Sequence, residues 1–385
     1  GQRASPSFGA AKLLWLRENQ PAEFRRGKVW LPVPAYVLYR LTGKMAVDYT
    51  IAARTLLFDQ RTLDWSTDLL EILGLPASLL PHVQVSGTPI GTVTPAAAEA
   101  AGLPANTICV LGGHDHLCAS LAAGARHFGS ITESTGSASA LMMLLPRFLD
   151  HPSLAERGYA CYAYLLKDRY VLKGGLKAAG NAIEWLARLL SAEGKPDFTA
   201  LQRDAAAGVG RRAGPIWLPH LIGSGTPQGD RYSRAALVGA QFEHDRGDLF
   251  RGMLESLACW LRHNLEEMQR LTGLEPVSVI LTGGATRLDL LSQLKADILN
   301  RPVRIPKLTE AAASGAALLA GLGAGAFTSI EEALGSLRYE TIELEPIPQN
   351  VIWYEQIYHT VYSPLYQALQ PVNTALENLN HPPEN

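Results

Sequence analysis

The sequence predicts an α/β protein built as two lobes. Its 385 residues exceed one ordinary core and suffice for two. Stretches rich in β-branched residues that end in glycine turns alternate with amphipathic helical stretches, the pattern of helices laid over sheets. Charge is sparse: 18% of residues are charged, the net charge is -2, and no run of like sign offers a patch to a phosphate backbone or a membrane surface. Nucleic acid is therefore excluded as an expected partner.

Taken in chain order, residues 10–18 read as a helix. Residues 107–111 form a short apolar strand, Gly112-Gly113-His114-Asp115 its turn, and residues 116–124 a helix of small side chains. Residues 130–143 read as two strands joined at Ser134-Thr135-Gly136-Ser137, a hairpin with hydroxyls at its tip. Residues 170–172 lead through Gly174-Gly175 into a helix ending near residue 190. Residues 250–271 make a long helix, because Phe250, Met253, Leu254, Leu257, Ala258, Leu261, Leu265 and Met268 share one face. Residues 277–282 are a strand turning at Gly283-Gly284 into a helix over 288–299. The small residues of 314–321 suit a helix packed closely on a sheet, and the polar, proline-bearing end at 381–385 is expected to fray. No stretch reaches the roughly 20 apolar residues of a membrane span. Cys109, Cys118, Cys161 and Cys259 stand apart without paired spacing, three of them in apolar runs, so reduced thiols and a cytoplasmic enzyme are expected.

Three of these segments deliver a strand through glycines to a helix N-terminus, where free N–H groups and the helix dipole favour anions. Within them, Asp115 is the candidate base: moving a phosphoryl group to a hydroxyl needs a carboxylate near the attacking oxygen, at a strand tip where ligands gather in α/β folds. The local alternative is that Asp115 caps the following helix. Zinc is the other reading of His114, Asp115, His116 and Cys118, but no second His/Cys segment completes such a site, so no protein-held metal is expected. Gly136 and Ser137 offer backbone N–H groups and a hydroxyl to phosphate, or form an ordinary turn. Gly283-Gly284 let a backbone approach a nucleotide, or make a tight strand-to-helix turn. Gly180 and Glu184 line a cleft, or accommodate packing.

Read as a series, these segments resemble the FGGY family of carbohydrate kinases from near the first residue to about Gly325, and more weakly to Tyr366. Leu41-Thr42-Gly43, Asp48-Tyr49-Thr50-Ile51-Ala52-Ala53-Arg54-Thr55-Leu56-Leu57-Phe58-Asp59 and Leu63-Asp64-Trp65 are similar to the signature of the family's first lobe. Gly112-Gly113-His114-Asp115 resembles the loop that carries the family's base, with His114 where glycine is commoner. Tyr49 and His116 fall where glycerol kinases of the family touch the polyol. Ser134-Thr135-Gly136-Ser137-Ala138 resembles the phosphate hairpin, with Ser137 at its threonine position and Ala138 at its serine position. Gly180-Asn181-Ala182-Ile183-Glu184-Trp185-Leu186 resembles the helix beside the nucleotide, and Thr282-Gly283-Gly284-Ala285 with Gln293 and Asp297 the adenosine motif, with Leu288 where asparagine is frequent.

The resemblance implies a two-lobed actin/hexokinase-like ATPase fold with ribonuclease H-like lobes, its first lobe incomplete. Residues 1–128 are expected as a partial first lobe with the base, 129–345 as the nucleotide lobe and 346–385 as a helical tail. It further implies ATP and Mg2+ as cofactors, a sugar or polyol substrate such as a pentulose, Asp115 as general base, and Tyr49, His114 and His116 on the sugar. Gly136, Ser137, Gly180, Ile183, Glu184, Gly283 and Gly284 are implied on the nucleotide. The family's opening Asp-x-Gly-Thr turn does not occur before Asp48, so a preceding N-terminal segment is expected. A silent sugar or nucleotide sensor and a different actin-like ATPase are the competing readings. The sequence leaves the oligomeric state open, a homodimer included.

Overall fold

The computed structural model describes residues 4–211 and 213–380, so the 381–385 end expected to fray lies outside the described residues. In the first half, strand pairing is confined to short pieces: Ala46–Asp48 runs parallel to His82–Gln84, Phe58–Asp59 pairs with Asp64–Trp65, and Pro89–Thr92 with Ile108–Val110. Helix α1 (Asp115–Ala122) follows the last of these strands and its glycine loop.

The second half is organised by one seven-stranded sheet. Its strands are β1 (Ser130–Thr135), β2 (Ser139–Leu145), β3 (Ala160–Ala163), β4 (Tyr170–Leu176), β5 (Ser278–Thr282), β6 (Val303–Pro306) and β7 (Thr341–Leu344), in the order β7-β6-β5-β1-β2-β4-β3. Pairings β1–β5 and β5–β6 are parallel, the rest antiparallel. Side chains alternate across a strand, and both faces here are covered. Leu141, Met143 and Leu145 of β2 enter one core while Met142 and Leu144 enter the other, which is why β2 reads as a nearly unbroken apolar run.

The first core holds helices α2 (Gly180–Leu190), α3 (Arg246–Thr272) and α4 (Asp289–Leu299), together with α6 (Pro348–Ile357) of the tail. All eight apolar residues of the predicted α3 stripe are buried. Its start is fixed by a capping box between Asp245 and Asp248 and its end by Gly273 in the left-handed conformation. A further helix, Ser363–Asn380, follows α6 along the chain.

The second core joins the sheet to the first half: Leu117, Cys118 and Leu121 of α1, Ala52 and Ala53 of the short helix Tyr49–Ala53, and Leu319 of α5 (Ala311–Gly323) share it. The small residues of α5 were expected to meet a sheet. They meet α1 instead: a side chain at Gly315 would overlap the Cys118 carbonyl, so small residues here let two helix backbones approach. A second correction concerns Gly174-Gly175, which lie inside β4 rather than at its end. A Cβ at Gly175 would stand 2.6 Å from the Ser139 carbonyl oxygen and one at Gly174 would stand 2.7 Å from Thr226 Oγ1, so the strand carries glycine because other chain segments cross it closely. The turn into α2 comes after Leu176.

Candidate active site

The loop carrying Asp115 is held by a carboxylate of the first half. Asp48 ends its strand and caps helix Tyr49–Ala53, accepting from the N–H groups of Thr50 (2.8 Å) and Ile51 (3.3 Å), from the Thr50 hydroxyl in a short bond, and from Ser86 Oγ (3.3 Å). Thr50 Oγ1 in turn accepts the backbone N–H of His114 at 2.7 Å. This chain runs from a buried acid through a hydroxyl to the residue preceding Asp115. Burial pushes the Asp48 carboxyl up to about 6 against the pull of those four donors. Gly113 completes the clamp, since a Cβ there would overlap Leu165 and crowd Ser86 and Thr50.

Asp115 itself is the first residue of α1 and does not act as its N-cap, the position His114 holds without a side-chain cap bond. Its carboxylate is 73% exposed and accepts the N–H of His116 at 2.7 Å. Partial burial pushes its pKa up, but the His116 N–H and the positive potential of His114, His116 and Lys173 outweigh this and hold it below the usual carboxylate range. It is therefore ionised at neutral pH. His114 Nδ1 lies 3.2 Å from Asp115 Oδ1 but is not aligned for a hydrogen bond, and burial lowers the His114 pKa to about 4, so the imidazole is neutral and the contact is no ion pair at pH 7. The His114 and His116 rings stack at 5.6 Å. Burial also lowers the pKa of His116.

Because β1 and β5 are parallel neighbours, the turns that follow them fall at the same end of the sheet. Gly136, Ser137 and Ala138 form the exposed tip after β1, and a Cβ at Gly283 would lie 2.6 Å from the Thr135 carbonyl oxygen. Helix α2 starts at the same place: the Gly180 N–H donates to the Gly136 carbonyl at 3.0 Å, and the N–H groups of Ala179 and Asn181 donate to that of Ser137 at 3.1 Å. The start of α2 thus spends these donors on the hairpin, which corrects the expectation that they stand free for an anion. Gly180 has no side chain because one would overlap the Gly136 oxygen. Ile183 is buried in the main core, and Glu184 is exposed and paired with Arg188. Beneath the tip, buried Glu133 joins Lys295 of α4 at 2.6 Å and accepts the hydroxyls of Thr135 and Ser139, each at 2.9 Å.

A cleft of about 660 Å3 opens beside these elements. Its lining includes His116, Arg54, Lys173, Gly136, Ser137 and Thr226. The structure thus brings His116, Gly136 and Ser137 to one cleft, while Tyr49, His114, Gly180, Ile183, Glu184, Gly283 and Gly284 do not line it. Asp115 is exposed close by: its charge raises the pKa of Lys173, which burial and Arg54 lower. The Tyr49 ring packs against Phe58 at 5.6 Å.

Two family models match this chain: the N-terminal domain of the FGGY family of carbohydrate kinases over residues 1–122, and its C-terminal domain over residues 134–324. The chain belongs to the FGGY family of carbohydrate kinases. This FGGY chain is 29% identical over 380 residues to the xylulose kinase of Bacillus subtilis, covering 98% of the chain and 74% of that protein. It is 32% identical over 331 residues to the glycerol kinase of Thermococcus gammatolerans, covering 84% of the chain and 64% of that protein. Among solved structures it resembles a xylulose kinase from Brucella ovis with a TM-score of 0.87 at 26% identity, over 96% of this chain and 75% of the other. It spans about three quarters of the xylulose kinases and under two thirds of that glycerol kinase. The actin/hexokinase-like fold expected from the sequence is that of these relatives.

Among the described residues of this FGGY chain, no three of His, Cys, Asp and Glu gather to hold a metal ion. Cys118 is buried, and burial raises its thiol to about 12. No helix among the described residues is long and apolar enough to cross a membrane. Sequence reasoning gave no role to Asp48, Thr50, Arg54, Lys173, Glu133 or Lys295. A carboxylate amid the hydroxyls of β1 and a lysine in the apolar run of β4 were the signals present.

Proposed function

We propose that this protein transfers the γ-phosphoryl group of ATP to a hydroxyl of a sugar or polyol, a ketose such as a pentulose being the substrate class favoured. The observation that carries this reading is an exposed, ionised Asp115, on a loop pinned by buried Asp48 and Thr50, beside a cleft lined by the Gly136-Ser137 hairpin. In this reading Asp115 accepts the proton of the attacking hydroxyl, whose oxygen bonds to the γ-phosphorus as the bond to the β,γ-bridging oxygen breaks and ADP leaves. A base of depressed pKa suffices, because positioning and charge neutralisation supply most of the rate in phosphoryl transfer.

Tyr49, His114 and His116 are assigned to the sugar side, where the two imidazoles beside Asp115 add hydrogen-bonding capacity for a polyhydroxylated substrate. Gly136, Ser137, Gly180, Ile183, Glu184, Gly283 and Gly284 are assigned to the nucleotide side. The common end of the sheet shared by Gly136, Ser137, Gly180 and Gly283 supports this. Residues 1–128, 129–345 and 346–385 serve as sugar lobe, nucleotide lobe and tail, the sheet strands lying between Ser130 and Leu344. Magnesium brought in on nucleotide phosphates needs only one or two carboxylates from the protein; Asp230 lines the cleft and Asp115 is exposed beside it. When bound, the ion neutralises phosphate charge. The four cysteines are buried and free, consistent with a cytoplasmic setting.

The test is Asp115→Asn in the purified protein, with sugar-dependent ADP production and nucleotide binding by calorimetry read side by side. Turnover should vanish while nucleotide affinity stays within about twofold. Undiminished turnover would remove Asp115 from its role, and ADP formation independent of any sugar would point to a different ATPase of the same fold.

A further inference from the structure

The second core leaves part of the sheet uncovered. Val279, Leu281, Val303 and Ile305 point into the α3–α4 core, so Ser278 and Arg304, and with them Pro306, face the other way. On β5 that face carries Ile280, buried against Ala123 and Ala125. The face floors a cavity of about 670 Å3, walled by residues 123–127 after α1 and by the helix Ile330–Ser336. The wall segment is the connector between the two matched family domains, which end at 122 and begin at 134.

Two guanidinium groups converge on this cavity, Arg126 from the connector and Arg304 from β6, and the Tyr339 hydroxyl sits within the field of both. Among the described residues neither arginine has a carboxylate within ion-pair distance. Glu343, directly across from Arg304 in the β6–β7 register, makes no ion pair with it, and Glu331 is the one carboxylate in the lining. The Arg126 Nε–H donates only to His127 Nε2, at 3.1 Å. Ser278 and Thr341 add hydroxyls, and Tyr339 donates to the Ala122 carbonyl at the end of α1, at 3.0 Å. Planar guanidinium forks flanked by hydroxyls suit phosphate oxygens, and the volume exceeds what a bare phosphate fills.

We infer that this cavity is a second ligand site, separate from the active-site cleft, that takes a small phosphorylated metabolite between Arg126 and Arg304. Occupancy ties the connector to the second-half sheet and bears on the end of α1 opposite Asp115, which is the geometry of an effector site.

The experiment is a thermal-denaturation titration of the whole chain at constant ionic strength, with inorganic phosphate and a hexose monophosphate as separate titrants. Wild type is compared with Arg126→Ser, Arg304→Lys and the double variant Arg126→Ser/Arg304→Ser, none of which touches the cleft. A saturable rise in melting temperature in wild type, with apparent affinity at least about tenfold weaker in the double variant and intermediate in Arg304→Lys, supports the site. Saturation by phosphate alone identifies the free anion as sufficient, and saturation by the hexose monophosphate alone identifies an ester. An equal response in wild type and double variant places the anion in the cleft and overturns the inference, as does the lack of any saturable response to either titrant up to about 50 mM.

Discussion

Replacing Lys295 by methionine should cost far more stability than the loss of one ion pair on a surface. Lys295 is 4% exposed and its partner Glu133 2%, and the carboxylate already accepts two hydroxyls on its other oxygen. Lys295→Met leaves that carboxylate buried without its cation, a change that costs about 3–5 kcal/mol, whereas an exposed pair is worth about 1 or less. For 385 residues unfolding near 60 °C, the entropy of roughly 2.1 cal/mol/K per residue makes this a fall of about 4–6 °C in Tm. Glu133→Gln strands the ammonium instead and should cost a similar amount. The double variant Glu133→Gln/Lys295→Met carries neither charge and should be less destabilised than either single variant, so the coupling in a double-mutant cycle should exceed either single loss. Urea unfolding at pH 7 followed by tryptophan fluorescence measures all four proteins. Since Thr135 and Ser139 flank the hairpin tip and both bond to Glu133, Lys295→Met should also weaken nucleotide binding. A Lys295→Met protein within 1 kcal/mol of wild type, or a double variant as unstable as the two singles summed, would refute the buried-pair argument.

Thr50→Val keeps the shape of the side chain but removes the hydroxyl between Asp48 and the His114 N–H; a loss of about 1–3 kcal/mol and a fall in kcat larger than any change in nucleotide Kd are expected from denaturation and steady-state kinetics. Gly113→Ala should shift the Asp115 loop by forcing a methyl into Leu165, and sugar-dependent ADP production should drop at least about tenfold with nucleotide affinity kept. Burial holds His220 to about 4, below its ordinary value near 6.5, so the unfolded chain binds this proton first and stability falls as pH drops from about 6.5 to 4, by up to about 3 kcal/mol. His114, at about 4, pulls the same way, while Asp48, raised to about 6, gains its proton first in the folded state and opposes them. His220→Asn should flatten this acid limb in urea midpoints measured between pH 4 and 7, and an unchanged slope would show that His220 does not carry it.

What the sequence revealed and what it hid divide along contact distance. The strand–glycine–helix units at 108–122 and 278–299, the hairpin at Gly136 and the apolar stripe of α3 are encoded within a few residues of themselves, and they stand where periodicity and turn chemistry put them. Gly174-Gly175 looked like a turn because nothing local records that the loop at Thr226 and the strand at Ser139 cross β4 there. The small residues of α5 announced close packing but not its partner, and α1 lies nearly 200 positions away in sequence. Glu133 and Lys295 are 162 positions apart, so neither could be paired before the fold was known. Even the helix start at Gly180, a sound anion site by local rules, turned out to be satisfied by the hairpin.

The same distance argument explains why the first-half signature matters to the proposed base, which lies more than sixty residues downstream. A carboxylate on a glycine turn is useless for proton abstraction unless that turn holds one geometry, and glycines supply freedom rather than order. Order comes from Asp48. It must be buried to be rigid, and burial raises its pKa to about 6, which is tolerable because four donors surround it and one of those donors, Thr50, is also the acceptor for the loop. The exposed Asp115 is thereby left ionised beside the cleft while a second, hidden carboxylate bears the cost of fixing its loop. Two acids divide the work that one could not do, since a side chain buried deeply enough to anchor the loop could not also meet a substrate.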